Sequence, residues 1–269
     1  MTEMGRPVAL VTGGSRGVGA GTALALAGAG YDVAFTYRNK RARAEEVAAQ
    51  VEGRGARALP VGADITRRDQ VDALFAAIEG WAGRLDLVVL NASGGLERDL
   101  VVADPAYPMR INHDAQAMVV DSATPLMRDG GVVVFVTSHW AHLYGQVEQM
   151  PAYAVVAESK HAGEQALRAR QDELAARGVR LIVVTGDLIE GTITPKLLER
   201  ATPGLAAERR ESVGPLPTVE DTAAAIVAAA TDRSLPGGHV VVVGGALESL
   251  PRLAGAGVAG GPEGPAAAS

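Results

Sequence analysis

Short apolar runs alternate along the chain with segments in which apolar residues return every three or four positions. The first pattern is typical of strands buried on both faces, and the second is typical of helices with one buried face. The run LDLVVL at 85–90 shows the strand pattern clearly, whereas Val71, Leu74 and Ile78 share one face of a predicted helix. The predicted strands span 8–11, 32–37, 58–61, 85–90, 132–136, 181–184 and 240–243.

Helical segments fill the intervals between these strands. The predicted helices span 20–29, 41–51, 69–81, 109–127, 152–177 and 219–230. Regular alternation of strand and helix favours an α/β fold of the Rossmann type, a doubly wound, seven-stranded parallel sheet with helices on both faces. In such a fold we expect the ligand crevice at the carboxyl ends of the strands.

The stretch VALVTGGSRGVG at 8–19 joins the first strand to the first helix through a glycine-rich turn. Gly13 permits the turn, Gly17 lets a pyrophosphate approach the backbone, and Gly19 allows helix and strand to pack closely. The free N–H groups and the positive end of the helix then face an anion. This placement after a strand and before a helix predicts a dinucleotide-binding site rather than an incidental loop.

Composition narrows the class of protein and of ligand. With 269 residues, 48% hydrophobic and 21% charged, we expect one domain over 1–245 and a poorly ordered Gly/Ala/Pro-rich tail over 246–269. The net charge of −6 disfavours nucleic acid and anionic membranes as partners, and the five histidines lack metal-ligand spacing. We therefore expect a cytoplasmic protein without a metal that binds a small molecule, with homo-oligomerisation left open.

Six motifs follow one another in a fixed order along residues 7–245. They are TGGSRGVG at 12–19, Asp64 in GADIT, Asn91-Ala92-Ser93-Gly94, Asn112, Ser138 and Ser159-Lys160. In this order they resemble the short-chain dehydrogenase/reductase family, and several ordered motifs are far more specific than any one of them. The resemblance implies a nicotinamide dinucleotide cofactor bound in the glycine loop by Gly13, Ser15, Arg16, Gly17, Val18 and Gly19.

The same resemblance assigns the rest of the cofactor site. It implies that Asp64 and Ile65 hold the adenine and that Ile189 and Thr192 hold the nicotinamide amide. Taken alone, Asp64 could equally be a turn cap and Asn91 a turn former. The resemblance places the cofactor ribose at Asn91, Ala92 and Ser93.

The residues after the second strand bear on the choice of cofactor. NAD binding usually needs an acidic residue there to accept from the ribose 2′-hydroxyl, but this chain has Tyr37-Arg38-Asn39. Arg38 and Arg16 can bind a 2′-phosphate from two sides, as in the NADPH-using family members that this chain resembles. We therefore expect NADPH, the alternative being two solvated surface arginines.

The family's catalytic motif is broken in the long predicted helix. The usual acid is a tyrosine four residues before the lysine, where this chain has Val156. Tyr153 precedes Lys160 by seven residues, about 10.5 Å along a helix axis, which predicts that it lies too far away to replace the missing acid. We expect no single tyrosine to be the essential proton donor. The catalytic candidates are Ser138, Asn112, Tyr153 and Lys160.

Other proton sources and one further departure follow from the sequence. A phenol of the substrate or a relayed water could supply the proton, with Ser138 polarising the carbonyl. His139, His142 and Tyr144 are candidates if their loop folds inward. Gly186-Asp187 stands where the family commonly has Pro-Gly, which puts the local path of the chain in doubt.

A long insertion at 190–217 carries leucines among charges and is typical of a lid over a crevice or of a surface helical pair. As a lid it favours a bulky, largely apolar substrate. Together with the broken motif it resembles the angucyclinone ketoreductases that tailor aromatic polyketide antibiotics of the simocyclinone type. We expect NADPH-dependent reduction of a ketone to a secondary alcohol, the alternative being an NADP(H)-binding sensor without catalysis.

Overall fold

One parallel sheet of seven strands, in the order β3-β2-β1-β4-β5-β6-β7, organises the protein. The computed structural model describes residues 5–253. The observed order confirms the predicted doubly wound fold. The strands are β1 (Val8–Val11), β2 (Asp32–Tyr37), β3 (Ala58–Gly62), β4 (Leu85–Leu90), β5 (Met127–Ser138), β6 (Arg180–Gly186) and β7 (Val240–Val243).

Helices connect the strands and cover both faces of the sheet. The first group is α1 (Gly17–Gly28), α2 (Arg41–Glu52), α3 (Arg68–Ala82), α4 (Arg98–Ala103), α5 (Tyr107–Met109) and α6 (Ala115–Ala123). The second is α7 (His139–His142), α8 (Ala154–Arg168), α9 (Gln171–Ala176), α10 (Ile193–Ala201), α11 (Leu205–Val213) and α12 (Val219–Thr231). None of the helices in the described part of the chain is long and apolar enough to span a bilayer.

Successive residues of the central strands face opposite sides of the sheet, and both sides are buried. Val11 and Phe35 pack into one core beneath α1, α2 and α12, whereas Leu10 and Val88 pack into the other beneath α3 and α6. Since every position must be apolar when both faces are covered, these strands read as continuous rather than alternating hydrophobic runs. That is why their bounds were predictable.

Two predicted helices are interrupted. The segment 109–127 contains a π-helical turn at Arg110–Asp114 and a 3-10 turn at Thr124–Leu126 that holds Pro125. The segment 152–177 begins only at Ala154 and divides into α8 and α9. At the division, Arg170 donates to the Ala117 carbonyl and pairs with Asp121 of α6, which ties this bend to the neighbouring helix.

The insertion at 190–217 forms α10 and α11, which follow β6 and precede α12. The chain after β7 was predicted to be poorly ordered from residue 246. Its described part instead packs on the domain: Leu250 is 3% exposed, and the Glu148 N–H donates to the Pro251 carbonyl. Residues 254–269 of the predicted tail lie outside the described residues.

Candidate active site

A cavity of about 800 Å³ opens at the carboxyl ends of the strands. Its floor is the glycine-rich loop between β1 and α1, and its walls come from the segments after β2, β3, β4, β5 and β6 together with α8 and α10. Every residue predicted for the site lines this cavity except Gly19 and Asn112. The sequence motifs therefore converge on one space, as the switch point of a doubly wound sheet requires.

The glycine loop is shaped by close backbone contacts. A Cβ on Gly19 would lie 2.3 Å from the Gly13 carbonyl oxygen, so α1 packs on the loop only with glycine there. Gly17 has a φ of +54°, and its missing Cβ would lie 3.8 Å from the Thr192 methyl carbon. A side chain at position 17 would therefore contact Thr192 at ordinary van der Waals distance beside the N-terminus of α1.

Asp64 and Asn91 form structural hydrogen bonds in the wall of the cavity. The Asp64 carboxylate accepts from the backbone N–H and the hydroxyl of Thr66, which is a turn cap. The Asn91 amide donates to the Thr12 and Gly13 carbonyls and so ties the loop after β4 to the glycine loop. Both residues also line the cavity. These hydrogen bonds hold the cavity wall in place, and cofactor binding by either residue stays a prediction.

Tyr153 contacts Ser138, although seven residues separate it from Lys160 in the sequence. It directly precedes α8, and its phenolic hydroxyl donates to Ser138 Oγ at 3.0 Å. Ser138 Oγ also accepts from the Ala141 N–H, so the serine keeps its own proton free to donate to a ligand. Tyr153 is the N-cap of α8 and its carbonyl accepts from the Ala157 N–H, so the predicted rise still separates it from Lys160, whereas its contact with Ser138 was not predicted.

The valine at the family's acid position is enclosed by packing. Val156 is 3% exposed, and one of its methyl carbons lies 3.0 Å from where a Cβ on Gly95 would stand. Pro108 borders the same point at 3.1 Å. Val156 therefore packs against the loop at Gly95 on one side and lines the cavity on the other.

Lys160 extends into the cavity from α8 and is buried. Burial lowers the pKa of its ammonium to about 8, against an opposing effect of the Glu164 carboxylate one turn further along the helix. Glu164 is itself buried and accepts from His142 and Arg168, at 2.9 Å each. Although burial alone would raise the pKa of Glu164, these two partners lower it, so a carboxylate stands behind Lys160.

Asn112 holds the cavity wall from behind. Its side-chain oxygen accepts from the Ser93 hydroxyl at 2.8 Å, and its amide nitrogen donates to the Gly94 carbonyl at 2.9 Å and to Ser159 Oγ at 3.0 Å. The π-helical turn that contains Asn112 is thereby joined both to the loop after β4 and to α8. With its side chain engaged in this way, Asn112 is a positioning residue rather than a group that faces the cavity.

The loop after Ser138 does not bring its histidines into the cavity. His139 is fully buried between the Thr185 hydroxyl and the Gly245 carbonyl, and burial lowers its pKa to about 4, so it is neutral. His142 is occupied by Glu164, and the Tyr144 ring packs near His161. All three suggested proton donors lie outside the cavity lining.

At the departure from the family's Pro-Gly, Asp187 forms a buried ion pair. The buried Asp187 carboxylate accepts three bonds from the guanidinium of Arg209, a residue of α11, at 2.8–3.0 Å. It also accepts from the Gly245 N–H at 3.2 Å. Asp187 therefore fastens both the insertion and the chain after β7 to the end of β6.

The end of the cavity beyond Ser138 and Tyr153 is apolar. Its walls come from the loop after β4, from α7, from the turn before α8 and from α10, so the insertion does contribute to the crevice. The apolar residues there are Leu96, Trp140, Met150, Leu188, Leu197 and Leu198.

Comparison with known proteins assigns the family. A sequence model of the family described as short chain dehydrogenase matches residues 7–201, which is most of the chain. The chain belongs to the short-chain dehydrogenase family. This confirms the resemblance predicted from the ordered motifs.

Curated members of this family include two similar reductases. The chain is 34% identical to 1-cyclohexenylcarbonyl-CoA reductase of Streptomyces collinus over 188 residues, which cover 69% of this chain and 65% of the relative. It is 34% identical to hydroxynaphthalene reductase arp2 of Aspergillus fumigatus over 176 residues, 64% of this chain and 62% of the relative. The matches therefore span less than two thirds of the relatives' own length.

Solved structures of short-chain dehydrogenases superpose on almost the whole fold. The reductase LugOII, described as catalysing keto-reduction at C1 during lugdunomycin biosynthesis, has 28% identity and a TM-score of 0.77 over 91% of this chain and 100% of its own. The angucycline C-6 ketoreductase LanV, with bound NADP, has 26% identity and a TM-score of 0.76 over 90% of this chain and 96% of its own. A Burkholderia cenocepacia short-chain dehydrogenase in complex with NADP has 27% identity and a TM-score of 0.78 over 91% and 98%.

Three residues of the site were missed by reasoning from the sequence of this short-chain dehydrogenase. Tyr107 accepts a hydrogen bond from Arg38 at the cavity mouth, Glu164 stands behind Lys160, and Asp187 holds the insertion. Tyr107 and Glu164 belong to none of the six ordered motifs, and Asp187 was noted only in the departure at Gly186-Asp187, without its pairing with Arg209. Only Glu164 carried a usable signal, since its spacing of four from Lys160 places both on one face of a helix.

Proposed function

We propose that the protein reduces a ketone of a bulky, largely apolar substrate to a secondary alcohol with NADPH, on an aromatic polyketide in antibiotic biosynthesis. The observation that carries this proposal is the hydrogen bond from Tyr153 to Ser138 in a cavity that also contains Lys160. A phenol, a hydroxyl and an ammonium then face one apolar space at the end of a dinucleotide-sized cleft. This set can polarise a carbonyl and protonate the resulting alkoxide.

The cleft supports the cofactor assignment. Gly17, which has no side chain, lies at the start of α1, where a pyrophosphate would bind. The exposed Arg16 and Arg38 at the cavity mouth can pair with a 2′-phosphate. Lys160 is placed to donate to ribose hydroxyls from the opposite end. When NADPH is bound it supplies the hydride, and the protein supplies orientation and electrostatics.

The proton step falls to this chain's own residues. Ser138 donates a hydrogen bond from its hydroxyl to the carbonyl oxygen, which draws electron density from the carbon that is reduced. Burial raises the pKa of the Tyr153 phenol, so it stays protonated at neutral pH, and one proton passes from Tyr153 through Ser138 to the alkoxide as the alcohol forms. The Ser138 hydrogen bond opposes the cost of the phenolate that remains. This assignment replaces the expectation that no tyrosine donates.

The substrate class follows from the apolar end of the cavity. Trp140, Met150 and the leucines of α10 offer wide apolar contact and few charges. Such walls suit a fused aromatic ring system better than a short polar keto acid. The likeness to LugOII, described as acting during lugdunomycin biosynthesis, and to LanV, described as an angucycline ketoreductase, supports the same class.

The test is NADPH oxidation by the purified protein with 1-tetralone and related bicyclic aryl ketones, and with pyruvate as a small polar comparison. We expect steady turnover with the aryl ketones, a secondary alcohol identified by mass spectrometry, and little turnover with pyruvate. Tight NADPH binding without turnover of any ketone would instead indicate a sensor that has lost catalysis.

A further inference from the structure

We propose that Tyr107 is a specificity-determining residue of the cofactor site, whose hydroxyl holds the Arg38 guanidinium in the position that receives the 2′-phosphate. Arg38 Nη1 donates to the Tyr107 hydroxyl at 2.7 Å. The inference rests on the proposed use of NADPH and adds a residue that lies outside the glycine loop and outside the segment after β2.

This hydrogen bond joins two segments that follow strands on either side of β1. Arg38 follows β2, and Tyr107 lies on α5 in the segment that follows β4. Because β1 stands between β2 and β4 in the sheet, the bond crosses the cavity mouth above the end of β1. Both residues line the cavity on the side of Asp64 and Ser15, where the adenosine half of the cofactor is assigned.

Tyr107 is a rigid support, whereas Arg38 is not. Tyr107 is 8% exposed, and its hydroxyl lies 2.8 Å from where a Cβ on Gly94 would stand, so the phenol fits only against a glycine. Arg38 is exposed and its side chain is long, so without a partner it would sample many rotamers. A fixed acceptor reduces that freedom before the ligand arrives, which lowers the entropic cost of binding.

The geometry leaves the rest of the guanidinium available. Arginine has five N–H donors in a planar fork, and Tyr107 occupies one nitrogen, Nη1. The Nε and Nη2 edge can then form the paired bonds that a phosphate accepts. The Arg38 guanidinium carbon also lies 6.0 Å from the Tyr107 ring centroid, which adds a weak cation–π contact in the same orientation.

A neutral acceptor suits this task better than a carboxylate. A carboxylate would also hold the guanidinium, but its charge would repel the incoming phosphate. Burial raises the pKa of Tyr107, against a smaller opposing effect of Arg38, so the phenol is uncharged at neutral pH. Tyr107 therefore orients Arg38 without neutralising it.

The experiment compares two ligands that differ only in the 2′-phosphate, adenosine 2′,5′-bisphosphate and adenosine 5′-monophosphate, by isothermal titration calorimetry. For Tyr107→Phe we expect about three- to tenfold weaker binding of the bisphosphate, the effect of one lost hydrogen bond, and monophosphate binding within about twofold. In an Arg38→Ala background, Tyr107→Phe should have no further effect on the bisphosphate. Tyr31→Phe, at the opposite end of β2, is the matched control and should change neither constant.

The outcomes separate this inference from the cofactor proposal. If wild type prefers the bisphosphate and Tyr107→Phe leaves that preference unchanged, or weakens both ligands equally, the role of Tyr107 is overturned while NADPH use stands. If wild type binds the two ligands equally, the cofactor proposal fails together with it. Circular dichroism and thermal unfolding show whether the variant is folded, and the Arg38→Ala background gives the same answer through the coupling of the two residues.

Discussion

The Tyr153 hydroxyl donates to Ser138 Oγ at 3.0 Å, although Tyr153 precedes Lys160 by seven residues rather than four. Tyr153 is the N-cap of α8 and its carbonyl accepts from the Ala157 N–H, so the helical rise between Tyr153 and Lys160 is retained. The phenol reaches the same serine that ends β5 and faces the cavity. We infer that the acid has moved along the sequence while its place in the cavity is retained.

Restoring the family's tyrosine at position 156 should not raise turnover. In Val156→Tyr the larger ring has to fit between the loop at Gly95 and the cavity that Val156 lines, and overpacking of a buried site typically costs about 1–3 kcal/mol. We expect a lower free energy of unfolding in urea and no gain in turnover. Val155→Tyr is the matched control, because Val155 is 51% exposed and should change stability by less than about 0.5 kcal/mol. A higher turnover of Val156→Tyr than of the wild type would show that a tyrosine at position 156 can still act as the acid in this site.

Cofactor use should fall at alkaline pH because of Lys160. Burial lowers the pKa of its ammonium to about 8, so the cation that pairs with the ribose becomes a neutral amine as the pH rises through that value. We expect kcat/KM for NADPH to decrease through about pH 8, since this parameter reports groups of the free enzyme. In Lys160→Ala the parameter should be lower throughout and this decrease absent. A profile that still falls near pH 8 in the variant would assign the titration to another group.

The choice between cofactors should depend on Arg38. In Arg38→Asp the guanidinium that meets the 2′-phosphate is replaced by a carboxylate that can accept from a free 2′-hydroxyl. We expect the ratio of kcat/KM for NADPH to that for NADH to fall below one, after exceeding one in the wild type. Equal use of both cofactors by the unmodified protein would leave Arg16 and Arg38 as ordinary surface arginines.

Two adjacent arginines of α11 should differ widely in their effect on stability. Arg209 is 7% exposed and pairs with the fully buried Asp187, so Arg209→Met leaves a buried carboxylate unpaired, at a cost of about 3–5 kcal/mol. Arg210 pairs with Glu190 in a largely exposed bridge, and Arg210→Met should cost no more than about 1 kcal/mol. Urea unfolding monitored by circular dichroism measures both. Equal effects would show that Asp187 does not fasten the insertion.

The fold was predictable because burial on both faces leaves a plain signal. The strands at 8–11 and 85–90 were predicted with their observed bounds, since such an apolar run ends where the strand leaves the two cores. The bounds of 32–37 and 240–243 also match, although β7 at the sheet edge is only partly buried. The glycine loop was equally readable, because Gly13 and Gly19 are required by backbone contacts that any such turn makes. These features depend on local chemistry and a fixed topology.

The details of the site were less predictable because they depend on packing between distant segments. Pro151 suggested a helix start, but the helix begins at Ala154, and no spacing rule indicated that Tyr153 at its N-cap contacts Ser138. Tyr107 meets Arg38 only because α5 packs against Gly94. No spacing rule connects residues 38 and 107, so their pairing could not be predicted from the sequence.

The most direct test of the account is the rate of ketone reduction in single turnover by Tyr153→Phe, with NADPH bound and its dissociation constant measured separately. Tyr144→Phe, whose ring packs near His161 outside the cavity, is the matched control. If Tyr153 is the proton donor, its variant should lose about 10²- to 10⁴-fold in rate with NADPH binding intact, while Tyr144→Phe keeps its rate. A Tyr153→Phe rate within about tenfold of wild type, which is less than the usual loss on removing a general acid, would contradict the account. It would indicate that the substrate or a water supplies the proton.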